Sequence, residues 1–432
     1  MSSNKYYFDP EYCREVSLKV IKNQFKWFFY NTKKYKSLDE ESFNKFLKDN
    51  FVVCSSRAEL EKLISSKGFS MHRENKNLIH YKGVAGEFDY DPNIWEISSN
   101  NLMFKNKEVV SLPKGLELPK GCINTSNMFT NCYNLTDISP LQDWDISDVI
   151  DISGMFQHCE KLTDIHPLKS WDTSKVEYMI DMFGFCENLT DISTLKNWDT
   201  SKVINMSSMF SNCCKLTDIS PLKNWDISNV IQISHMFNGC TKLKNISSLK
   251  NWDTSNVTNM ESMFAFCKNL KDISPLKNYD TSNIIDMSYM FYDCKKLTDI
   301  SPLENWNTSN VKKMIFTFSN CENLTDISPL ENWDTSKALD MSGMFSGCKN
   351  LTDLSPLQDW NISNLEDVSY MFKDCINLKD ISQLKNWNIS SIERKIQVFE
   401  DLKNLTDKSN LPKPNKIKDI KESIFKNLFN HN

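Results

Sequence analysis

Ten cysteines recur every 27 residues, and thiols at such a fixed spacing could bind a metal, form a ladder of disulfides or pack in the core. They are Cys132, Cys159, Cys186, Cys213, Cys240, Cys267, Cys294, Cys321, Cys348 and Cys375. Zinc sites need ligands at short local spacings, and only Cys213 and Cys214 are close together. Stacked strands hold equivalent residues about 4.8 Å apart, farther than the roughly 3.8 Å between Cβ atoms that a disulfide prefers. We therefore expect reduced, buried cysteines that serve packing, and we predict no metal site and no cofactor.

Two further columns of the same period are acidic. One runs from Asp137 to Asp380 in L-T-D-I segments, and the other runs from Asp145 to Asp334 in W-D-T-S segments. Asparagine replaces aspartate at four of these positions, which are Asn245, Asn307, Asn361 and Asn388. Stacked carboxylates repel one another, so either hydrogen bonds within turns or bound calcium must compensate. Calcium-binding solenoids use glycine-rich repeats, whereas this chain has ten glycines in all, which favours the turns.

Histidine offers little support for catalysis. The six histidines occupy unrelated repeat positions, and they are His72, His80, His158, His166, His235 and His431. A glycine-rich phosphate loop and a G-x-S-x-G motif are both absent from the sequence. We predict that the protein is not an enzyme, and an activity within residues 1–121 is the alternative.

The elements that position these columns belong to one repeat array. Phenylalanine and tryptophan keep the same 27-residue step as the cysteines, and Tyr279 takes the place of one tryptophan. Burial of the apolar residues of one repeat does not offset the entropy lost by ordering 27 residues, so each repeat needs its neighbours. The predicted fold class is a right-handed solenoid of ten repeats over residues 122–402.

Within a repeat, C-x-x-L-T-D-I-S-P-L is interpreted as the strand. Leu297 and Ile300 would point inward, and Pro302 would end the strand because proline lacks an N–H group. The W-D-T-S-N segment has the composition of a turn. The V-x-x-M-S-x-M-F segment is predicted to form a short helical or 3₁₀ segment on the opposite side.

The ends of the chain do not share the repeat. Residues 1–121 are predicted to form an α+β N-terminal domain and cap, with a helix over about 10–31 and a strand at 51–54. Residues 403–432 are predicted to be a linker followed by an amphipathic helix. Its apolar face consists of Ile417, Ile420, Ile424 and Leu428.

Charge is distributed unevenly along the chain. The array holds 24 Lys and Arg against 37 Asp and Glu, whereas both flanking regions are basic. Phosphate binding needs a basic face, so we predict that the array does not bind nucleic acid. No apolar run is long enough for a signal peptide or a membrane span, which leads us to expect a cytoplasmic protein.

The repeat also carries a family resemblance. The stretch WDTSNVTNMESMFAFC, from Trp252 to Cys267, resembles the leucine-rich repeats of BspA-like proteins, in the subgroup whose repeat reads W-D-T-S-N-V-T-N-M-x-x-M-F-x-x-C. The resemblance covers about residues 122–402. It implies a leucine-rich-repeat-like β/α coil and a protein that binds rather than catalyses, because the family is best known from bacterial surface proteins.

Positions that change from repeat to repeat can discriminate between partners, whereas constant columns cannot. Many of these variable positions carry aromatic or histidine side chains, and we predict that they form a partner-binding strip. The residues are Tyr178, Phe185, His235, Phe266, Tyr289, Tyr292, Phe316 and Tyr370. The alternative is that some of them fill gaps at the rim. The sequence thus favours a scaffold or adaptor that binds a protein partner, with a surface-associated or particle-associated adhesin as the alternative.

Overall fold

The structure of the protein is a computed structural model that describes residues 79–99, 101–389 and 392–398. For residues 6–9, 14–15 and 52–54 it describes the backbone alone. The predicted C-terminal helix at 417–428 lies outside the described residues.

A small antiparallel sheet lies near the N-terminus. It consists of β1 (Tyr6–Asp9), β2 (Arg14–Glu15) and β3 (Val52–Cys54), in the order β2-β1-β3. The predicted strand at 51–54 is confirmed by β3. The predicted helix over 10–31 is wrong at its start, because Arg14–Glu15 pairs with β1 as a strand. The remainder of that helix lies outside the described residues.

Two hairpins precede the array. The first joins β4 (Ile79–Gly83) to β5 (Gly86–Tyr90), and the second joins β6 (Trp95–Ser98) to β7 (Asn101–Phe104). The second hairpin lies against the first coil of the array. The ring of Trp95 is 6.0 Å from that of Phe129, and the Phe104 N–H donates to Met128 O at 2.8 Å. Aromatic packing and a backbone hydrogen bond therefore cover this end of the array.

Each 27-residue coil of the array contains one short 3₁₀ helix. These helices are η1 (Ser139–Asp143), η2 (His166–Ser170), η3 (Ser193–Asn197), η4 (Ser220–Asn224), η5 (Ser247–Asn251), η6 (Ser274–Asn278), η7 (Ser301–Leu303), η8 (Ser328–Leu330), η9 (Ser355–Leu357) and η10 (Ser382–Leu384). No longer helix and no closed sheet occurs within the described ranges. The array is therefore a stack of turns with a strict 27-residue period.

The 3₁₀ helices correct the prediction of a strand at C-x-x-L-T-D-I-S-P-L. Leu297, Ile300, Leu303 and Trp306 are buried at intervals of three residues, which is the period of a 3₁₀ helix and not that of a strand. Pro302 does not end a strand but lies in the first turn of η7, where its missing N–H has no helical partner to lose.

Strand-like pairing lies instead in the V-x-x-M segment, where a helical or 3₁₀ segment was predicted. One residue per coil forms a parallel bridge to the next coil, and the bridges link Asn124, Asp151, Tyr178, Asn205, Gln232, Asn259, Asp286, Lys313, Asp340, Asp367 and Arg394. We call these residues the bridge column. Each bridge involves a single residue because the chain turns away three residues later.

The two acidic columns predicted from the sequence form capping turns. Asp299 Oδ1 accepts the Ser301 N–H at 2.8 Å at the start of η7, and Asp253 Oδ1 accepts the Ser255 N–H at 3.0 Å. The same bond recurs from coil to coil in both columns. Hydrogen bonds from the hydroxyl group and the N–H group of Ser255 hold the pKa of Asp253 below its usual value, so this carboxylate stays charged at neutral pH.

Stacked columns of identical side chains fill the core. Phenylalanine rings of successive coils stack, as in Phe237 and Phe264, whose centroids are 5.8 Å apart with an interplanar angle of 8°. All ten column cysteines are free and fully buried. From Cys159 onward each thiol donates to the backbone carbonyl of a phenylalanine 30 residues earlier, as Cys267 Sγ does to Phe237 O at 3.2 Å. The disulfide alternative is therefore wrong, and these cysteines are packing residues that also make a weak hydrogen bond.

The tryptophan column adds one side-chain hydrogen bond per coil. Each indole N–H in the array donates to a leucine carbonyl of an earlier coil, as Trp252 Nε1 does to Leu222 O at 3.3 Å and Trp306 Nε1 does to Leu276 O at 3.1 Å. Tyr279 interrupts the column, and its buried hydroxyl makes no hydrogen bond to any described residue. The coil of Tyr279 thus lacks the side-chain hydrogen bond that tryptophan makes in the other coils.

Substitution of Tyr279 by Trp is expected to raise the free energy of unfolding by about 1 kcal/mol. The indole N–H would reach Leu249 O, the acceptor at the equivalent position, and the unpaired buried hydroxyl would be removed. The midpoint of urea denaturation measures this change. Tyr279→Phe is the control, because it removes the hydroxyl without adding a donor and should give a smaller gain. A Trp variant less stable than the Phe variant would contradict the expectation.

The described ranges contain no helix that is both long enough and apolar enough to cross a membrane.

Candidate protein-binding surface

Each coil holds two residues in the left-handed region of backbone conformation, four residues apart, just after the bridge column. The first set, column L1, comprises Asn127, Gly154, Asp181, Ser208, His235, Ser262, Tyr289, Phe316, Gly343, Tyr370 and Gln397. The second set, column L2, comprises Asn131, His158, Phe185, Asn212, Gly239, Phe266, Asp293, Asn320, Gly347 and Asp374. The two columns run side by side along the array.

Positive φ angles at L1 and L2 let the backbone alternate between two kinds of hydrogen bond. The N–H groups of Tyr289 and Asp293 donate to the next coil, at Ile315 O and Ser319 O over 2.6 and 2.8 Å. Between them, Phe291 N also donates to the next coil, at Thr317 O over 2.9 Å. Met290 N and Tyr292 N instead bond within their own coil, to Met287 O at 3.3 Å and Tyr289 O at 3.0 Å. This alternation satisfies the backbone donors of a segment that is neither helix nor strand.

Six of the eight residues predicted as partner-binding lie at these left-handed positions. His235, Tyr289, Phe316 and Tyr370 are in column L1, and Phe185 and Phe266 are in column L2. The other two are Tyr178, in the bridge column, and Tyr292, next to an L2 residue. All eight are half-buried, so each presents part of its ring to solvent.

Four of these rings touch one another, and we call Phe266, Tyr289, Tyr292 and Phe316 the aromatic cluster. Tyr289 and Phe316 stack with centroids 5.4 Å apart and an interplanar angle of 18°. Tyr292 meets Tyr289 edge-on at 5.8 Å, Phe316 at 6.3 Å and Phe266 at 5.1 Å. The cluster spans three coils.

The other four predicted residues lie outside the cluster. Phe185 stacks on His158 at 4.2 Å, and His158 in turn lies 6.3 Å from the ring of Tyr133. Lys373 Nζ lies 5.6 Å from the ring centre of Tyr370. The structure therefore resolves the predicted strip into one four-ring cluster, a smaller stack around Phe185, and separate positions along the same face.

His235 and Tyr178 have polar surroundings. His235 Nδ1 is 3.2 Å from Asn238 Nδ2, and His235 Nε2 is 3.9 Å from a Glu261 oxygen. Burial lowers the pKa of His235, so its imidazole is neutral at pH 7. Tyr178 bridges Asp151 and Asn205 in the preceding and following coils.

Gly343 is required by the cluster. It lies in column L1 one coil after Phe316, and a Cβ atom there would overlap the Phe316 ring. Its φ of +60° is also unfavourable for most residues with a side chain. The ring of Phe316 thus occupies the space that a side chain at position 343 would need.

Acidic groups surround Tyr289. Burial is the main cause that raises the pKa of the Tyr289 hydroxyl to about 12, followed by the charge of Glu261, with smaller contributions from Tyr292, Asp340 and Asp286. Burial also raises the pKa of Glu261, as does the neighbouring Asp286. Lys313 Nζ lies 3.3 Å from Asp286 Oδ2 and offsets part of this negative charge.

Sequence reasoning missed several parts of this surface. It did not identify His158 and Tyr133 as ring partners, the carboxylates near Tyr289, or Gly343. A signal was available, because glycine and asparagine recur four residues apart, as in Gly343 and Gly347 or Asn127 and Asn131. These residue types favour positive φ angles, so their spacing marks columns L1 and L2.

The thiols and carboxylates form no chemical centre in the described part of the chain. No three His, Cys, Asp or Glu side chains come together there in the manner of metal ligands. Burial raises the pKa of the Cys375 thiol to about 12, which suppresses the reactive thiolate. The surface with the clearest organisation is therefore the aromatic one.

Comparison with protein families assigns the array. A family model described as a Mycoplasma protein of unknown function, DUF285, matches residues 123–246, 216–327 and 298–411. The overlapping matches together cover about two thirds of the chain. The chain belongs to this family. The DUF285 matches include the whole aromatic cluster and exclude the β4–β5 and β6–β7 hairpins. A search of curated proteins found no match to the chain.

Proposed function

We propose that the protein is a non-catalytic interaction scaffold that binds a protein partner through the aromatic residues of columns L1 and L2. The aromatic cluster is the main contact, and the Phe185 stack lies farther along the same face. Aromatic side chains are enriched at the centres of protein interfaces because they bury a large area with little loss of conformational freedom.

The observation that supports this proposal is the positive φ angle of the residues that carry these rings. A bulky residue with positive φ is an outlier, and strain of this kind costs on the order of 1–3 kcal/mol per residue. Ser208 and Asn127 occupy column L1, and Asn212 occupies L2, with the same backbone. Polar residues thus suffice for the fold at these positions, so the partly exposed rings serve a purpose other than stability.

The repeat type is part of the proposal. We assign the coils as BspA-like leucine-rich repeats, forming a right-handed coil. Support comes from the quoted repeat motif, from the parallel bridge in every coil, and from the 3₁₀ helix in every coil. We also propose a cytoplasmic location, because buried cysteines that remain free suit a reducing compartment.

The experiment compares partner capture by wild-type protein and by a Tyr289→Asn/Phe316→Asn double variant. Asparagine accepts positive φ and occurs naturally at L1 in Asn127, so the backbone is retained and its strain is relieved. Proteins captured from the source cells are identified by mass spectrometry, and the affinity of the main one is then measured. We expect the variant to fold with equal or higher stability and to lose at least tenfold in affinity.

Ser208→Asn provides the matched control, because it also introduces asparagine in column L1 but removes no ring. It should leave the affinity unchanged. An unchanged affinity in the double variant would refute the proposed surface, since the aromatic cluster would then not contact the partner.

A further inference from the structure

Two carboxylates without a strong cationic partner flank the aromatic cluster. Glu261 precedes it, in the same coil as Phe266, and Asp340 follows it, in the same coil as Gly343. The Tyr289 hydroxyl is close enough to both for their charges to act on it. The rings thus lie between two negative charges.

Two other acidic residues of the bridge column already have cationic partners, whereas Asp151, outside the cluster, accepts a hydrogen bond from Asn124 Nδ2 at 3.1 Å. Asp286 pairs with Lys313 at 3.3 Å, and Asp367 pairs with Arg394 at 2.9 Å. Asp340 uses one oxygen to accept the Ser342 N–H at 2.9 Å, and within the described ranges it makes no ion pair.

Glu261 also lacks a close cationic partner. Its ion-pair partner within the same ranges is His235, 3.9 Å away, and burial keeps that imidazole neutral at pH 7. Two negative charges on this face are therefore available to an incoming cation.

Of the lysines near the cluster, Lys313 pairs with Asp286, and its charge also acts on Glu261, so it offsets part of the negative charge there. Lys268 and Lys295 approach Asp293, and Lys295 and Lys349 approach Glu322. These pairs lie beside column L2, whereas Asp340 is in the bridge column and Glu261 lies two residues after its member Asn259. The bridge-column side of the cluster keeps a net negative charge.

Building on the proposed function, we infer that this surface binds an extended, basic segment of the protein partner that carries two Arg or Lys side chains about four residues apart. Cationic side chains are attracted to the faces of Tyr and Phe rings, and Arg also pairs with a carboxylate through two parallel hydrogen bonds. One basic residue would pair with Glu261 and the other with Asp340.

The spacing follows from the geometry of the array. Glu261 and Asp340 lie three coils apart, which at strand spacing is about 14 Å. An extended peptide advances about 3.3 Å per residue, so roughly four residues span that distance. The intervening side chains would lie on the rings of Tyr289 and Phe316.

The test uses a labelled synthetic peptide with two arginines four residues apart in a Gly-Ser background, titrated with the full chain and followed by fluorescence anisotropy. A peptide with citrulline in place of arginine keeps the shape without the charge. We expect the arginine peptide to bind at least tenfold more tightly than the citrulline peptide, and its binding to weaken as salt is raised. Equal binding of the two peptides would overturn the inference.

Variants of the protein separate this inference from the proposed function. Glu261→Gln/Asp340→Asn should weaken the arginine peptide at least fivefold, whereas Asp151→Asn, in the same bridge column but outside the cluster, should not. Asn259 shows that the bridge column accepts asparagine. If the native partner depends on Tyr289 and Phe316 but is unaffected by loss of both carboxylates, the basic segment is wrong and the scaffold function stands. If binding of the native partner depends on neither the two rings nor the two carboxylates, both the proposed function and the basic segment are refuted.

Discussion

Replacing Trp252 by Ala is expected to lower the free energy of unfolding by about 3–5 kcal/mol. Trp252 is 4% exposed in the middle of the array, and its indole N–H donates to Leu222 O. Truncation would leave a large cavity between coils and remove one of the two hydrogen bonds that Leu222 O accepts, since Trp225 N also donates to it at 3.2 Å. Because each coil is stabilised by its neighbours, the defect weakens the interfaces on both of its sides.

Chemical denaturation followed by far-UV circular dichroism measures this loss. Trp252→Phe is the control, since it keeps a ring in the core and removes only the hydrogen bond and part of the volume. It should lose less than half as much stability as the Ala variant. An Ala variant with the wild-type midpoint would show that the tryptophan column does not support the array.

Replacing Gly343 by Val should cost about 2–4 kcal/mol, from the strain of a β-branched residue at positive φ together with overpacking. The added side chain would overlap the ring of Phe316, which occupies that space. The ring would have to swing away, so Gly343→Val should also disrupt the aromatic cluster. Denaturation measures the stability, and binding of the native partner reports on the cluster.

A double-mutant cycle distinguishes the two causes. Gly343→Val in a Phe316→Asn background removes the steric overlap with the ring and keeps the backbone strain, so its cost should fall by at least 1 kcal/mol relative to the wild-type background. An identical cost in both backgrounds would show that Phe316 does not restrict this position.

The sequence was sufficient to predict the columns. A period of 27 residues without insertion places each Cys, Phe and Trp above its counterpart in the preceding coil. Identical side chains of successive coils therefore pack against one another. The capping role of Asp299 could also be predicted, because an aspartate two residues before a serine N–H forms a capping turn wherever the backbone allows it.

The strand and the 3₁₀ helix of each coil were predicted in each other's place. The strand was predicted from Leu297 and Ile300, although their spacing of three residues already matched the turn of a 3₁₀ helix. The V-x-x-M segment has only one bridging residue per coil, such as Lys313, and a single residue has no periodicity that a sequence pattern can reveal. Pairing of this kind is determined by neighbouring coils and not by local preference.

The aromatic surface was predicted by residue but not by arrangement. Tyr289 and Phe316 were selected because their positions vary, yet nothing in one sequence indicates that their rings stack. That contact depends on positive φ angles in both coils and on the glycine that follows Phe316. Glu261 and Asp340 were not associated with the rings, because the period places residues in successive coils but does not indicate which side chains within a coil lie close together.

The uniform length of the repeats has an evolutionary consequence. Recombination between such similar units adds or removes whole coils in register, and every remaining coil still meets an equivalent neighbour. The Phe185 stack and the Tyr289 cluster are four coils apart, and each is built within adjoining coils. Insertion or deletion of a repeat between them would leave both groups intact and change their separation in steps of about 4.8 Å. The number of repeats encoded between the two aromatic groups therefore sets the distance between them.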